Sequence, residues 1–182
     1  MEVGTLESDL RAFLSEQSLD HDLEIRNGEI VIVSPHDLLS SAVVVELAAL
    51  LSAHVRKHRL GFVFESNGGF RYIDGDLMAP DVSFVSRERL PSVPRSFAQV
   101  IPEIVVEVQS STQRSAAVRA KLALLLEKGS TIGLLVDPGL QTVEVFTVGR
   151  LPQILRNGDT IEFGEILPDF SISVSDLWPQ TY

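Results

Sequence analysis

The 182-residue chain contains no cysteine. This absence excludes a disulfide scaffold, zinc–thiolate centres and thiol catalysis. Basic residues are also scarce, because 15 lysines and arginines stand against 25 aspartates and glutamates, which gives a formal net charge of −10. Strong non-specific nucleic-acid binders usually carry an excess of basic residues. A nucleic-acid substrate would therefore need a local basic surface on this chain, and the affinity would be modest.

Long apolar runs and two common catalytic loops are missing as well. No apolar run approaches the ~20 residues that cross a bilayer, and the acidic first residues do not resemble a signal peptide. Neither a glycine-rich phosphate-binding loop nor a Gly-x-Ser-x-Gly nucleophile turn occurs. Hydrophobic residues make up 45 % of the chain, which is enough for a core, and the length suits one domain over residues 1–182. We therefore expect a soluble, cytoplasmic protein that makes no contact with a membrane.

The spacing of apolar residues predicts a mixed sheet flanked by helices. Asn27-Gly28 is a strong two-residue turn signal between two short strands, and Asp37 is placed to cap a long helix. A later helix lies between two apolar strands, which is the pattern of a parallel βαβ unit. The predicted strands cover residues 23–26, 29–33, 61–65, 69–73, 81–85, 103–110, 131–136, 143–148, 153–155, 160–163 and 170–174, and the predicted helices cover 5–14, 37–59 and 114–128.

The strand EIVVEVQ, residues 103–109, carries the most informative polar residues. Alternation along a strand places Glu107 and Gln109 on one face, and the apolar residues between them point to the other face. A central strand seldom keeps a glutamate without a partner, because an unpaired buried charge is costly. Glu107 is therefore a candidate site residue, and a solvated strand face remains an equally open interpretation.

Three other charged residues occupy unexpected positions. Asp81 follows Pro80 at the start of a predicted strand, where functional groups often cluster, although a simple turn residue would look the same. Lys121 has only apolar neighbours three and four positions away, and its helix should cross over the strand that carries Glu107. Glu46 also has only apolar helical neighbours, so it either joins a shared polar site or extends to solvent at the edge of the apolar stripe.

These residues form a set suited to metal-dependent chemistry. Asp81 and Glu107 are hard oxygen ligands of the kind that bind Mg²⁺ or Mn²⁺ beside substrate phosphates. Such a metal lowers the pKa of a bound water and offsets the charge of a pentavalent phosphate. Lys121 would orient the attacking water or stabilise the developing negative charge, while Gln109 and Glu46 would tune the site.

The order PDVSFV, a polar loop, EIVVEVQS, a helix with one lysine and then GSTIGLLVDP resembles the Uma-two family of restriction-endonuclease-like proteins, within the PD-(D/E)XK nuclease superfamily. The resemblance extends from LEIRNGEIVIVSP at residues 23–35 to LPDFSISVSDL at residues 167–177. It implies a restriction-endonuclease-like α/β fold, in which a mixed sheet of αβββαβ type carries additional N-terminal elements.

By that resemblance, each candidate residue matches a family position. Asp81 matches the motif aspartate and Glu107 matches the second acid. Gln109 stands where the superfamily usually has a strand lysine, and Lys121 matches the helix lysine that replaces it in many relatives. Glu46 lies where related nucleases carry an acid on the first core helix.

The chain also departs from the family pattern. The family segment EVxSPS reads EVQSST here, and Leu125 stands where an aromatic residue usually follows the helix lysine. A histidine common near the start of the long helix is not in register, because Ser40 and Ser41 occupy that place. These departures concern substrate contacts and oligomer packing, whereas the main site positions are retained.

The sequence therefore predicts a Mg²⁺-dependent DNA endonuclease. Two alternatives stay open: a catalytically inactive nuclease-fold interaction module, which the net charge of −10 favours, and a hydrolase of a small phosphorylated molecule. Duplex cleavage needs two sites and symmetric dimers are the commonest assembly, so we expect a homodimer. Four aromatic residues would supply apolar contacts for it, although core packing is their simpler use: Phe62, Phe64, Phe70 and Tyr72.

Overall fold

Two α-helices, two short 3-10 helices (Gly164–Ile166 and Val174–Leu177) and three sheets make up the computed structural model, which describes residues 22–180. The predicted helix at residues 5–14 lies outside the described residues. The helices are α1 (Leu38–His58) and α2 (Ser115–Glu127). The strands are β1 (Asp22–Arg26), β2 (Glu29–Val33), β3 (Gly61–Glu65), β4 (Phe70–Arg71), β5 (Leu77–Met78), β6 (Val82–Ser86), β7 (Ile104–Val108), β8 (Ile132–Asp137), β9 (Thr142–Thr147), β10 (Gln153–Leu155), β11 (Thr160–Glu162) and β12 (Ser171–Ser173).

The six-stranded sheet has the order β10-β9-β8-β7-β6-β3. Its β7–β8 pair is parallel and its other pairs are antiparallel, so the predicted βαβ unit around α2 is confirmed. Along the chain, α1, β3, β6, β7, α2 and β8 form the expected αβββαβ core. Strands β4 and β5 are not part of this sheet. They pair with the N-terminal hairpin in a second sheet of order β2-β1-β5-β4.

Local signals in the sequence predicted the hairpin and the start of α1 correctly. Asn27 and Gly28 have φ angles of 50° and 76°, the left-handed conformation that a tight two-residue hairpin turn requires. Asp37 caps α1 by accepting a hydrogen bond from the Ser40 backbone N–H at 2.9 Å. Arg59, with a φ of 56°, ends the helix in the left-handed conformation.

Helix α1 is apolar because it covers one face of the large sheet. Val43, Leu47 and Leu51 are fully buried there, in a cluster with Val82 and Val106 of the neighbouring strands. Among the described residues, α1 is long and apolar enough, by length and composition alone, to cross a membrane. This differs from the expectation that no apolar run approaches that length. The core contacts account for the buried side of α1, whereas Leu38, Leu39 and Val45 of the same helix are exposed.

Helix α2 packs on the opposite face of the sheet, against β7 and β8. Leu122 is buried there in a cluster with Val105. A Cβ atom at Gly133 of β8 would lie 2.8 Å from Cδ1 of Leu122, so the missing side chain lets α2 approach the sheet closely. This approach brings Lys121, the residue before Leu122, over β7.

The aromatic residues considered for a dimer contact belong to the core in this chain. Phe70 and Tyr72 are buried, and Phe62 and Phe64 pack against the same α2-side cluster. Core packing, rather than a dimer contact, therefore accounts for these four residues. The homodimer stays a prediction that these side chains do not support.

Candidate active site

Strand pairing brings the two predicted metal ligands together. Val82 of β6 pairs with Val106 of β7, and continuing this antiparallel register by one residue places Asp81 opposite Glu107. Both side chains are buried, with relative exposures of 5 % and 4 %. Oδ2 of Asp81 accepts a hydrogen bond from the Val108 backbone N–H at 2.6 Å, which fixes the carboxylate against β7.

The ammonium group of Lys121 lies beside these acids. Its Nζ is 2.9 Å from Oε1 of Glu107 and 2.9 Å from Oε1 of Glu24, and it donates a hydrogen bond of 2.9 Å to the Ala79 carbonyl. Only 6 % of the lysine is exposed. Three oxygen atoms thus surround one ammonium group with three N–H donors, and the lysine is directed into the acid cluster rather than into solvent.

Glu24 of β1 is a site residue that the sequence analysis missed. Besides Lys121, its carboxylate contacts Nε of Arg26 at 2.5 Å and accepts a hydrogen bond from the Ala79 backbone N–H at 3.1 Å. Alternation along β1 separates Glu24 and Arg26 from the apolar face that carries Ile25. That pattern is typical of a half-buried hairpin strand, and only the pairing of Ile25 with Leu77 brings Glu24 to the site.

The hairpin is held in position by Asp76, whose side chain is buried. Its carboxylate accepts hydrogen bonds from the backbone N–H groups of Asn27 at 2.8 Å and Gly28 at 3.0 Å. The same carboxylate lies 2.8 Å from Nζ of Lys128, at the end of α2. Lys121 and Lys128 are about two helical turns apart, so α2 contacts the hairpin sheet at two points and fixes the position of Glu24.

A histidine reaches the site from the loop before α1. Nε2 of His36 lies 3.4 Å from Oδ1 of Asp81. The start of α1 is tied to the end of β7, because Asp37 accepts a hydrogen bond from the Ser111 backbone N–H at 2.7 Å and Ser40 donates one to the Gln109 carbonyl at 3.0 Å.

Two predicted site residues lie outside this cluster. Glu46 is exposed on α1, since it extends to solvent from a face that does not pack on the sheet. The expectation that it points into the site is therefore corrected, and Glu24 supplies the third acid instead. Gln109 is half-buried just beyond β7, where its backbone carbonyl accepts the bond from Ser40. Among residues 22–180, its side chain makes no hydrogen bond, and its tuning role stays a prediction.

Burial controls the ionisation of the cluster. Desolvation raises the pKa of Glu107 well above its ordinary value; the positive charge of Lys121 opposes this shift, and the charges of Asp81 and Glu24 add to it. Desolvation also raises the pKa of Asp81, against the opposing charges of Lys121 and His36. Burial alone would lower the pKa of Lys121, but the three surrounding acids outweigh it and raise that pKa. Three acids thus crowd one ammonium group, and this crowding together with burial favours the protonated form of Glu107.

The raised pKa of Glu107 predicts a pH-dependent stability difference. Because folding raises this pKa above 4.5, the folded state holds the proton more tightly than the unfolded state does. The contribution is fully present below about pH 4.5 and is lost as the pH rises through the folded-state pKa. With a chelator present, we expect the unfolding free energy of the wild type minus that of Glu107→Gln to fall as the pH rises above about 4.5 in urea denaturation. A difference that grows with pH would contradict this assignment.

The cluster lies at the wall of an open cleft of about 670 Å³. Glu24, His36 and Asp81 line the cleft directly, together with Ala79. Glu107 does not line it and lies behind Asp81 on the neighbouring strand. A ligand in the cleft would thus contact Glu24, His36 or Asp81, whereas Lys121 contacts the acids from outside the cleft lining.

The donor set suits a metal that needs few protein ligands. Oδ1 of Asp81 faces the His36 ring rather than a backbone donor, and the Glu107 carboxylate contacts the Lys121 ammonium group. In the same range, no group of three histidine or acidic residues is arranged to hold a metal. Mg²⁺ and Mn²⁺ are compatible with two carboxylates, because waters and substrate phosphates complete the coordination. The residues present therefore fit such an ion, with the buried acids Asp81 and Glu107 on adjacent strands as the supporting observation.

The αβββαβ sheet and the acid–lysine cluster between β6, β7 and α2 define a restriction-endonuclease-like fold. The chain belongs to the Uma2 family, described as putative restriction endonuclease, whose model matches residues 9–175. The resemblance inferred from the sequence is thereby confirmed.

A solved structure supports the same fold. The chain is similar to a putative nuclease belonging to DUF820 from Anabaena variabilis, with a TM-score of 0.79 and 21 % identity. The similarity covers 92 % of this chain and 96 % of the other. No curated protein matches the sequence.

Proposed function

We propose that this protein is a Mg²⁺- or Mn²⁺-dependent endonuclease that hydrolyses phosphodiester bonds in DNA. One observation carries the proposal: the buried ammonium group of Lys121 contacts the buried carboxylates of Glu24 and Glu107, and the buried carboxylate of Asp81 lies opposite Glu107 at the wall of an open cleft. Buried charges of this kind destabilise a fold unless they are fully compensated, and strongly perturbed acids in a cleft favour a functional site.

Each residue of the cluster has a distinct role in the proposed reaction. Asp81 and Glu107 would hold the metal, which supplies a water of lowered pKa and offsets charge on the phosphate. Lys121 keeps Glu24 and Glu107 in place, and its charge opposes the protonation of Glu107. Its charge also stabilises negative charge that develops on a phosphate in the adjoining cleft. His36 contacts Asp81 from the side of the cleft and limits its movement.

A cleavage assay with controlled metal content tests the proposal. The purified protein, incubated with plasmid and oligonucleotide DNA, is expected to cut with Mg²⁺ or Mn²⁺ and to be inactive with EDTA, because the proposed hydrolysis needs a metal to lower the pKa of the attacking water and to offset charge on the phosphate. Calorimetry with Mn²⁺ alone should detect binding. Gel electrophoresis of the products measures the cleavage.

The alternatives give different results in the same assay. A protein that binds neither Mn²⁺ nor DNA at low salt would be an inactive interaction module. Hydrolysis of a small phosphate ester without DNA cleavage would indicate the small-molecule hydrolase. Cleavage that persists in EDTA would contradict the metal requirement. The proposal also includes a cytoplasmic location and a homodimer, which stay predictions.

A further inference from the structure

A second cleft of about 760 Å³ adjoins the cleft of the acid cluster. The two clefts share Asn67, Gly69 and Phe97 in their walls. Their charges differ, because Glu24, Glu65 and Asp81 line the first cleft, whereas the ionisable residues of the second are Arg71 and Arg95. A basic cleft thus leads directly to the acidic site.

An aromatic ring stands at the junction of the clefts. Phe97 is 46 % exposed although it is a large hydrophobic residue. Its ring packs against the backbone at Gly69, where a Cβ atom would lie 2.8 Å from the ring. The next residue, Ala98, accepts a hydrogen bond from the Arg71 backbone N–H at 2.8 Å, which holds the loop against β4. One side of a well-positioned ring therefore faces the clefts.

Arg95 supplies a cation beside that ring. The loop at residues 87–99 contains two other arginines, and each has a partner: Arg87 pairs with Glu88 at 3.0 Å, and Arg89 with Glu103 at 3.0 Å. Arg95 is exposed and has no ion pair or hydrogen bond within residues 22–180. In a chain of net charge −10, such an unpaired arginine provides the local basic surface that an acidic protein needs to bind a polyanion.

We propose that this second cleft binds an unpaired nucleotide of a DNA strand, so that the cluster acts on single-stranded or locally unpaired DNA. Phe97 stacks on the base and Arg95 contacts a phosphate, while the adjoining phosphodiester enters the first cleft. An exposed ring with a nearby cation is the arrangement that binds single strands without sequence preference. Bases inside a duplex do not offer a free face to such a ring. The choice of DNA rests on the proposed function.

Binding measured without cleavage tests this inference separately from the enzymatic activity. Fluorescence anisotropy in EDTA compares a labelled single-stranded oligothymidine with a duplex of equal length. We expect Phe97→Ala to weaken single-strand binding about 5- to 100-fold and to leave duplex binding nearly unchanged, because stacking needs a free base. Phe97→Trp should retain binding, whereas Phe97→Leu, which keeps an apolar side chain without an aromatic face, should behave like the alanine variant.

The arginine has a matched charge control. Arg95→Gln should reduce single-strand affinity several-fold and lower the slope of log affinity against log salt by about 0.7, the value for one phosphate contact. Arg150→Gln makes the same charge change in the turn between β9 and β10, at the opposite edge of the large sheet. This control should leave both quantities unchanged.

The two proposals fail in distinguishable ways. If the wild type cleaves DNA but the Phe97 and Arg95 variants bind single strands as it does, this inference is wrong and the nuclease function stands. If no DNA is cleaved with metal but the variants lose single-strand binding as described, the binding cleft stands and the nuclease function fails. Equal binding of duplex and single strands, both insensitive to Phe97→Ala, would overturn the inference.

Discussion

Asp81→Asn is expected to reduce metal-dependent DNA cleavage at least about 1,000-fold. The substitution removes the carboxylate charge next to the cleft, and a catalytic metal contributes several kcal/mol of transition-state stabilisation, or about tenfold in rate for each 1.4 kcal/mol. The amide oxygen can still accept the hydrogen bond from the Val108 N–H, so the strand pairing should persist. Initial cleavage rates with saturating Mg²⁺ measure the loss, and circular dichroism checks the fold.

Glu46→Gln is the matched control for this variant. It also neutralises one acid, but Glu46 is exposed on α1 and lies outside the cluster. Its cleavage rate should therefore equal that of the wild type. If Glu46→Gln lost activity as Asp81→Asn does, Glu46 would again be a candidate site residue, as its match to the acid on the first core helix of related nucleases implies. If Asp81→Asn cleaved normally, the assignment of the site would be wrong.

Lys121→Met is expected to lower the free energy of unfolding by about 3–5 kcal/mol. Methionine has a similar length and shape, so the main change is the loss of the ammonium group that pairs with Glu24 and Glu107. Removing one partner of a buried ion pair leaves the remaining charges uncompensated, which costs about this much. Urea denaturation at neutral pH, in a chelator, measures the effect.

A rescue variant separates charge from packing. Adding Glu24→Gln and Glu107→Gln to Lys121→Met removes the uncompensated acids and should restore much of the lost stability, because a buried ion pair contributes little net free energy compared with neutral groups of similar size. Lys57→Met, at an exposed position in the last turn of α1, should change stability by no more than about 0.5 kcal/mol. If Lys121→Met were as stable as the wild type, the described ion-pair geometry would be wrong.

Most of the fold was predictable because its signals are local. The Asn27-Gly28 turn, the Asp37 cap and the apolar spacing of α2 each depend on residues within a few positions of one another. Strand β5, by contrast, was not predicted. It consists only of Leu77 and Met78, and two residues are too few to show the alternation of apolar and polar residues that indicates a strand. Its partners are remote in sequence, and pairing alone defines it.

The site was predictable where a charge interrupts an apolar pattern. Glu107 in a buried strand and Lys121 on an apolar helix face were unusual in their own segments, and they meet at 2.9 Å. Glu46 showed the same local signal but is exposed, because an apolar neighbourhood along a helix does not say which side packs. Glu24 and His36 carried no such signal, since polar residues are ordinary in a hairpin and in a loop.

The sequence by itself determined the family, the order of the core elements and which charged residues on β7 and α2 belong together. These features follow from short-range periodicity and from motif order, which the chain carries whether or not it is folded. Only the tertiary structure decided that the third acid comes from the hairpin, that a loop histidine contacts Asp81 and that a basic cleft adjoins the site. Those contacts join residues up to about a hundred positions apart, and their geometry depends on packing between sheets that no local pattern encodes.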